Sequence, residues 1–139
     1  MCSTYGISKQ IIKSTLAKFG GANRRFEYVG SFDNMDIYDD YAHHPSEISA
    51  TAKAMKNKQY RQSWVVFQPH TYSRTKLLLD DFAEVLTNFD NIIVTDIYAA
   101  REKDTGLVHS KDLADAIDGA LYISGFENIV KYFKENAKP

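Results

Sequence analysis

The pattern that most constrains this chain is an alternation of two kinds of apolar segment. Trp64-Val65-Val66-Phe67 and Ile92-Ile93-Val94 are short, β-rich runs bounded by polar residues, the mark of a buried strand. Leu78, Phe82, Val85, Leu86 and Phe89 recur instead at helical spacing and form one apolar face. The spacing predicts strand 35–39, helix 46–57, strand 63–67, helix 75–89, strand 91–97, helix 110–118, strand 120–123 and helix 126–136. Strands separated by helices build a parallel sheet with right-handed crossovers. Upstream, residues 25–29 and 35–38 are strand-like, and the turn-rich link 30–34 predicts a hairpin. The expected fold class is α/β: a Rossmann-like, doubly wound, mostly parallel sheet with an antiparallel edge strand at its N-terminal side.

Ahead of the hairpin, Ile7, Ile11, Ile12, Leu16 and Phe19 predict a short amphipathic helix, with Gly20 as its C-cap. Composition then removes several function classes. A net charge of −1 offers no basic footprint for nucleic acid. No apolar run approaches the roughly 20 residues of a membrane span, and no basic-then-apolar signal peptide opens the chain. The single cysteine, Cys2, cannot form an internal disulfide, which fits a reducing cytoplasm. The sequence holds neither a Gly-x-x-x-x-Gly-Lys-Ser/Thr phosphate loop nor a Gly-x-Gly-x-x-Gly turn. His43 and His44 are adjacent, a poor spacing for two metal ligands, so no metal site is expected.

In doubly wound sheets ligands sit beyond the carboxyl ends of the strands. Three loops therefore matter: 39–46, 68–75 and 96–109. The first packs Asp39, Asp40, Tyr41, His43 and His44 ahead of Pro45, which suits a first helical turn, and Glu47, which suits the helix macrodipole. An acid at a strand end commonly accepts from a ribose diol, and imidazoles move protons near neutral pH. A solvated capping loop accounts for the same residues less fully. The second loop, Phe67-Gln68-Pro69-His70-Thr71-Tyr72-Ser73-Arg74-Thr75, opens a helix. Ser73 or Thr75 suits its N-cap, and the helix end with His70 and Arg74 suits a carboxylate or phosphate. On spacing alone, a plain surface pairing of Arg74 with an acid is an equal reading. In the third loop Asp96 ends an apolar strand, Arg101-Glu102-Lys103-Asp104 reads as a solvated charged run, and His109 precedes a Ser110 N-cap.

Asp39-Asp40-Tyr41-Ala42-His43-His44-Pro45 closely resembles the segment that opens the C-terminal domain of the Mur ligases. Residues 67–75 resemble the second signature loop of the alanine-adding branch, and Arg24-Arg25-Phe26-Glu27 and Asp96-Ile97-Tyr98-Ala99-Ala100-Arg101-Glu102 resemble its linker and third loop. The resemblance implies an enzyme, an ATP-dependent amide-forming ligase that joins L-alanine to UDP-N-acetylmuramate through an acyl phosphate, in the bacterial cytoplasm, for peptidoglycan and the cell wall. It implies ATP and Mg2+, both held mainly by a central domain, and this chain's own central and N-terminal domains as partners. It assigns Tyr41, His43, His70, Tyr72 and Arg74 to the substrate, with His43 as a possible catalytic group, and Arg25, Asp40 and His44 to the nucleotide. Some members carry a second arginine where this chain has Thr71, so a two-arginine clamp is not expected here. Residues 1–21 would be the last helix and linker of the central domain, and 22–139 the C-terminal domain without its final strand. A homodimer is then expected, through the unpaired edge or through the loose N-terminal helix. Alone, the chain is expected to be inactive. The alternatives are the related ligase that recycles murein tripeptide, which lacks the Phe-Gln-Pro-His pattern, and a non-catalytic α/β module that binds nucleotide at its edge.

Overall fold

The computed structural model describes residues 2–18 and 22–136. Phe19, the Gly20 cap and the Gly21 joint lie outside the described residues. The chain divides into two units, residues 1–32 with 36–41, and residues 33–35 with 42–139.

The first unit holds a 3-10 turn, Cys2–Tyr5, helix α1, Lys9–Lys18, and two strands, β1, Glu27–Phe32, and β2, Met35–Asp39. The expected helix is present, but none of its residues is buried. β1 begins two residues later than the apolar pattern predicts, because Arg24 and Phe26 adopt positive φ (55° and 48°), which no strand tolerates. Asp33 and Asn34, at φ 50° and 62°, form the two-residue turn between β1 and β2. Positive φ at both positions is the primed geometry that matches strand twist, and Asp and Asn tolerate it. Tyr38 braces the pair, stacked 4.6 Å from Phe26 and edge-on 5.5 Å from Tyr28. The pair forms a two-stranded sheet of its own. The expected antiparallel edge therefore exists as a separate hairpin sheet, not as a strand bonded into the parallel sheet.

The second unit is the α/β layer structure that the alternation predicts. Helix α2, Pro45–Lys56, leads into β3, Trp64–Phe67. Helices α3, Tyr72–Leu77, and α4, Leu79–Leu86, lead into β4, Asn91–Val94. Helix α5, Ser110–Asp115, leads into β5, Leu121–Tyr122, and α6, Phe126–Asn136, follows. β3, β4 and β5 pair in that order, all parallel, with Trp64 opposite Asn91 and Ile93 opposite Leu121.

Alternation along the strands sends side chains to two faces. Val65, Phe67, Ile92 and Val94 join Phe82, Leu86, Leu113 and Ile117 in the main core. Trp64, on the other face of β3, packs its ring 5.1 Å from Phe133 and 6.2 Å from Tyr132 of α6. Helices thus cover both faces, as a doubly wound sheet requires. No helix among the described residues is long and apolar enough to cross a membrane.

The single helix expected over 75–89 is two helices. Leu78, at φ −111° and ψ 22°, breaks it, yet hydrogen bonds run through the break from Leu78 N–H to Arg74 O (3.0 Å) and Phe82 N–H to Leu78 O (2.8 Å). No proline or glycine marks the position. The buried stripe survives through Phe82 and Leu86, both fully buried. α5 begins one residue earlier in capping terms than expected: His109 is the N-cap, its N–H donating to Asp112 Oδ2 at 2.8 Å, and Ser110 is the first helical residue.

Phe82 touches Phe67 at 5.1 Å between ring centroids and is fully buried, so Phe82→Ala opens a cavity at the centre of the second unit. The expected loss is about 3–5 kcal/mol, measured by urea unfolding of the chain. A loss under about 1 kcal/mol would show that α4 is not seated on β3.

Candidate functional site

The carboxyl ends of β3 and β4 are joined by a further rung of parallel ladder beyond the named strands. Tyr98 N–H donates to Pro69 O (2.8 Å) and Thr71 N–H to Tyr98 O (2.9 Å), which sets His70 beside Tyr98. Their rings lie 5.5 Å apart. The strand expected over 91–97 is shorter by this measure, because after Thr95 the chain turns to deliver Asp96 and Tyr98 to two different tasks.

Thr71 is the N-cap residue of α3, in place of the expected Ser73 or Thr75, with φ 67° and ψ 145°. A β-branched residue is strained there. The surrounding bonds hold it: the Thr71 carbonyl accepts the N–H (3.1 Å) and hydroxyl (2.7 Å) of Thr75, which is fully buried. The sharp exit at Thr71 lets α3 begin beside His70, and one turn on, Arg74 Nη1 reaches 3.4 Å from His70 Nδ1. A guanidinium has no acceptor, so Nδ1 accepts and the neutral ring carries its proton on Nε2. Arg74 is half-buried and makes no ion pair among the described residues. The surface-pairing reading of Arg74 is therefore excluded. A half-buried cation without a carboxylate is costly unless an anion comes to it.

His43 closes on the same place, its ring 6.0 Å from that of His70. Its orientation is set by Glu47: the carboxylate accepts the His43 N–H at 3.1 Å and lies 3.6 Å from Nδ1. His43, His70 and Arg74, predicted from three motif positions, are thus brought together at one sheet edge with Tyr98.

The charged run 101–104 is not simply solvated. The Glu102 carboxylate accepts the Ser73 N–H at 2.9 Å and, through its other oxygen, the Ser73 hydroxyl in a short bond. Those two bonds, foremost the hydroxyl, hold the Glu102 carboxyl below its ordinary range. The helix end expected to seat a ligand anion is therefore closed by a carboxylate of the chain itself. Burial, ahead of the nearby Asp104 charge, pushes the Tyr72 phenol up.

Asp96 performs a similar task on the other side of β4. Its carboxylate accepts from the hydroxyls of Tyr122 (2.6 Å) and Ser124 (2.8 Å) and from Gly125 N–H (3.0 Å). The Tyr122 bond leads in lowering the Asp96 pKa, and the same bond raises that of Tyr122. His44 caps α2, Nδ1 accepting the Ser46 N–H at 3.3 Å.

The remaining expected residues belong to the first unit. Arg25 is exposed on the approach to β1, and Asp40 follows β2; both already have interaction partners. Tyr41 is held by Arg24, whose carbonyl accepts its N–H at 2.8 Å and whose guanidinium stands 5.1 Å over its ring. Arg24 also binds Asp39, Nε to Oδ2 at 3.0 Å. Sequence reasoning missed Arg24, Tyr98 and Glu102 as placed residues. Only their position inside signature strings marked them; no local spacing did.

No group of three His, Cys, Asp or Glu side chains converges on a metal position among the described residues. The sequence carries no Gly-x-x-x-x-Gly-Lys-Ser/Thr phosphate loop either.

The second unit is a parallel α/β unit with His70 and Arg74 beyond the carboxyl end of β3. The chain belongs to the Mur ligase family by its glutamate ligase domain, whose pattern matches residues 24–139. It is 51% identical, over 99% of its length, to the UDP-N-acetylmuramate--L-alanine ligase of Acetivibrio thermocellus. It is 52% identical, over 96% of its length, to the enzyme of that name from Caldanaerobacter subterraneus. It spans 30% of the length of each. Among solved structures, the UDP-N-acetylmuramate-alanine ligase of Thermotoga maritima matches with a TM-score of 0.71 and 25% identity, over 94% of this chain and 28% of that one. A murein peptide ligase from Psychrobacter arcticus shares the fold, at TM-score 0.69 and 24% identity over 99% of this chain and 30% of that one.

Asp96 and Glu102 make stability depend on acid. Both carboxyls titrate lower in the folded chain, so their stabilisation is present above the unfolded value of about 4 and lost as pH falls through the folded one. Thermal melts from pH 7 to pH 3 should show Tm falling at the acid end. Asp96→Asn should flatten that limb; a limb as steep as that of the parent chain would remove Asp96 from the account.

Proposed function

We propose that this chain is the C-terminal domain of an ATP-dependent ligase that joins L-alanine to UDP-N-acetylmuramate in peptidoglycan precursor synthesis. The observation that carries the reading is Arg74: a half-buried guanidinium beside His70 with no carboxylate of its own, in a domain of the Mur ligase family. Such a fork fits a single amino-acid carboxylate. The naming of the relatives favours L-alanine as that amino acid, and the Phe-Gln-Pro-His sequence favours this reading over a tripeptide-recycling ligase.

In this reading Arg74 takes the carboxylate and His70 Nε2–H donates to it. His43, oriented by Glu47, stands where the alanine amine must lose a proton before it attacks. By the family resemblance alone, the first unit's Tyr41 is assigned to the substrate and its Arg25 and Asp40 to the nucleotide, Asp40 at the ribose hydroxyls, while in the second unit Tyr72 is assigned to the substrate and His44, which caps α2, to the nucleotide. Activation of the UDP-N-acetylmuramate carboxyl, with ATP and Mg2+, is the work of a central domain to which residues 1–21 belong. The exposed face of α1 is consistent with that assignment. The location that follows is the bacterial cytoplasm.

The direct test is Arg74→Ala in the full-length ligase. Loss of a charge-assisted contact costs about 1.5–3 kcal/mol, so the KM for L-alanine should rise about 10- to 150-fold while the KM for ATP stays put. An unchanged alanine KM would falsify the seat. The 139-residue chain by itself should hydrolyse no ATP and form no amide, since its sequence carries no Gly-x-x-x-x-Gly-Lys-Ser/Thr phosphate loop. Turnover by the purified chain, abolished by Arg74→Ala, would overturn that division of labour.

A further inference from the structure

Glu102 is the residue that the family reading leaves without a task. It sits after a tight turn in which Glu102 N–H donates to Ala99 O at 2.9 Å and Ala100 takes a φ of 53°. The turn carries the carboxylate back across to the second loop. There it takes both the N–H and the hydroxyl of Ser73, one with each carboxylate oxygen. Both oxygens are thus turned to Ser73, and the Ser73 amide at the start of α3 is already occupied.

Ser73 is the residue directly before Arg74. α3 runs only from Tyr72 to Leu77, too short to be stable by itself in water. Its orientation is therefore fixed by its surroundings: at its far end by the hydrogen bond from Leu78 N–H to Arg74 O that leads into α4, and at its start by the strained Thr71, tied to Tyr98, and the Glu102 clasp on Ser73. The two contacts at its start come from, or lead to, the third loop.

We infer that Glu102 is a positioning residue for the anion seat: by gripping Ser73 it fixes the direction in which Arg74 leaves α3 and confines an incoming carboxylate to Arg74 and His70. The inference rests on the proposed binding of an amino-acid carboxylate at Arg74. It makes the third loop part of acceptor recognition without contact to the acceptor. Glu102 touches no reacting atom, so its loss acts on acceptor affinity before it acts on turnover.

The test is steady-state kinetics of the full-length ligase with L-alanine and ATP varied separately. Glu102→Ala should raise the KM for L-alanine about 10-fold, as the loss of a charge-assisted pair predicts, with the KM for ATP and kcat within about twofold. Glu102→Gln keeps the reach and one acceptor oxygen and should stay within about threefold of the parent. Adding Ser73→Ala to Glu102→Ala should change little further, since both break one clasp. Arg74→Ala run in parallel separates the two claims. If Arg74→Ala raises the alanine KM and Glu102→Ala does not, the positioning role is wrong and the seat stands. If Arg74→Ala leaves it unchanged, the seat reading fails and this inference with it. If Glu102→Ala and Glu102→Gln alike raise both KM values, lower kcat and lower Tm, Glu102 is merely structural and the inference is overturned.

Discussion

Everything at the site depends on the register of β3 against β4. The two strands are pinned at both ends. At the amino end, Asp90 accepts the N–H (2.7 Å) and hydroxyl (2.8 Å) of Ser63, while Asn91 N–H returns to Ser63 O at 3.0 Å. Those bonds, led by the Ser63 hydroxyl, hold the Asp90 carboxyl low. At the carboxyl end, the Tyr98 backbone takes up Pro69 and Thr71. Between the pins, Phe67 faces Val94. A slip by one residue would turn Phe67 and Val94 out of the core, and would part His70 from Tyr98 in the same movement. The core and the site are therefore one constraint, read at two heights of the sheet.

The electrostatics of the second unit follow a simple division. Its site-side carboxylates are consumed internally: Asp96 on Tyr122, Ser124 and Gly125, Glu102 on Ser73, and Glu47 on His43. Each closes a loop or orders the start of a helix. Arg74, beside His70, makes no ion pair among the described residues. In the proposed reading negative groups serve shape while this positive group meets the ligand, as a carboxylate-binding surface requires.

How far the sequence could be read varies with the kind of information. The parallel α/β order was legible because apolar periodicity reports burial directly, and Phe67, Phe82, Leu86, Phe89, Ile92, Ile93 and Val94 are buried as it puts them. The shift of β1 was not, since the positive φ of Arg24 and Phe26 belongs to residues that seldom adopt it. The separation of the hairpin from the parallel sheet was illegible too: strand pairing between distant segments leaves no local trace. In the site, His70 and Arg74 stood out by residue type beside a helix start. Glu102 looked like one charge in a solvated run because its partner, Ser73, is remote in sequence. His44 showed the converse. A histidine in a signature string drew a binding role, while its ring is engaged as a helix cap.

Thr71 brings a further consequence. Its backbone, at φ 67° and ψ 145°, is one that threonine adopts only under constraint, and the constraint comes from Tyr98 and the buried Thr75. A loop so over-determined has few other conformations to visit. Its ordering entropy is therefore paid during folding and not when a small ligand arrives. An amino acid has few atoms with which to make contacts, so a seat that must first organise itself would leave little net affinity. In the proposed reading, rigidity at Thr71 is the counterpart of the small size of an amino-acid ligand.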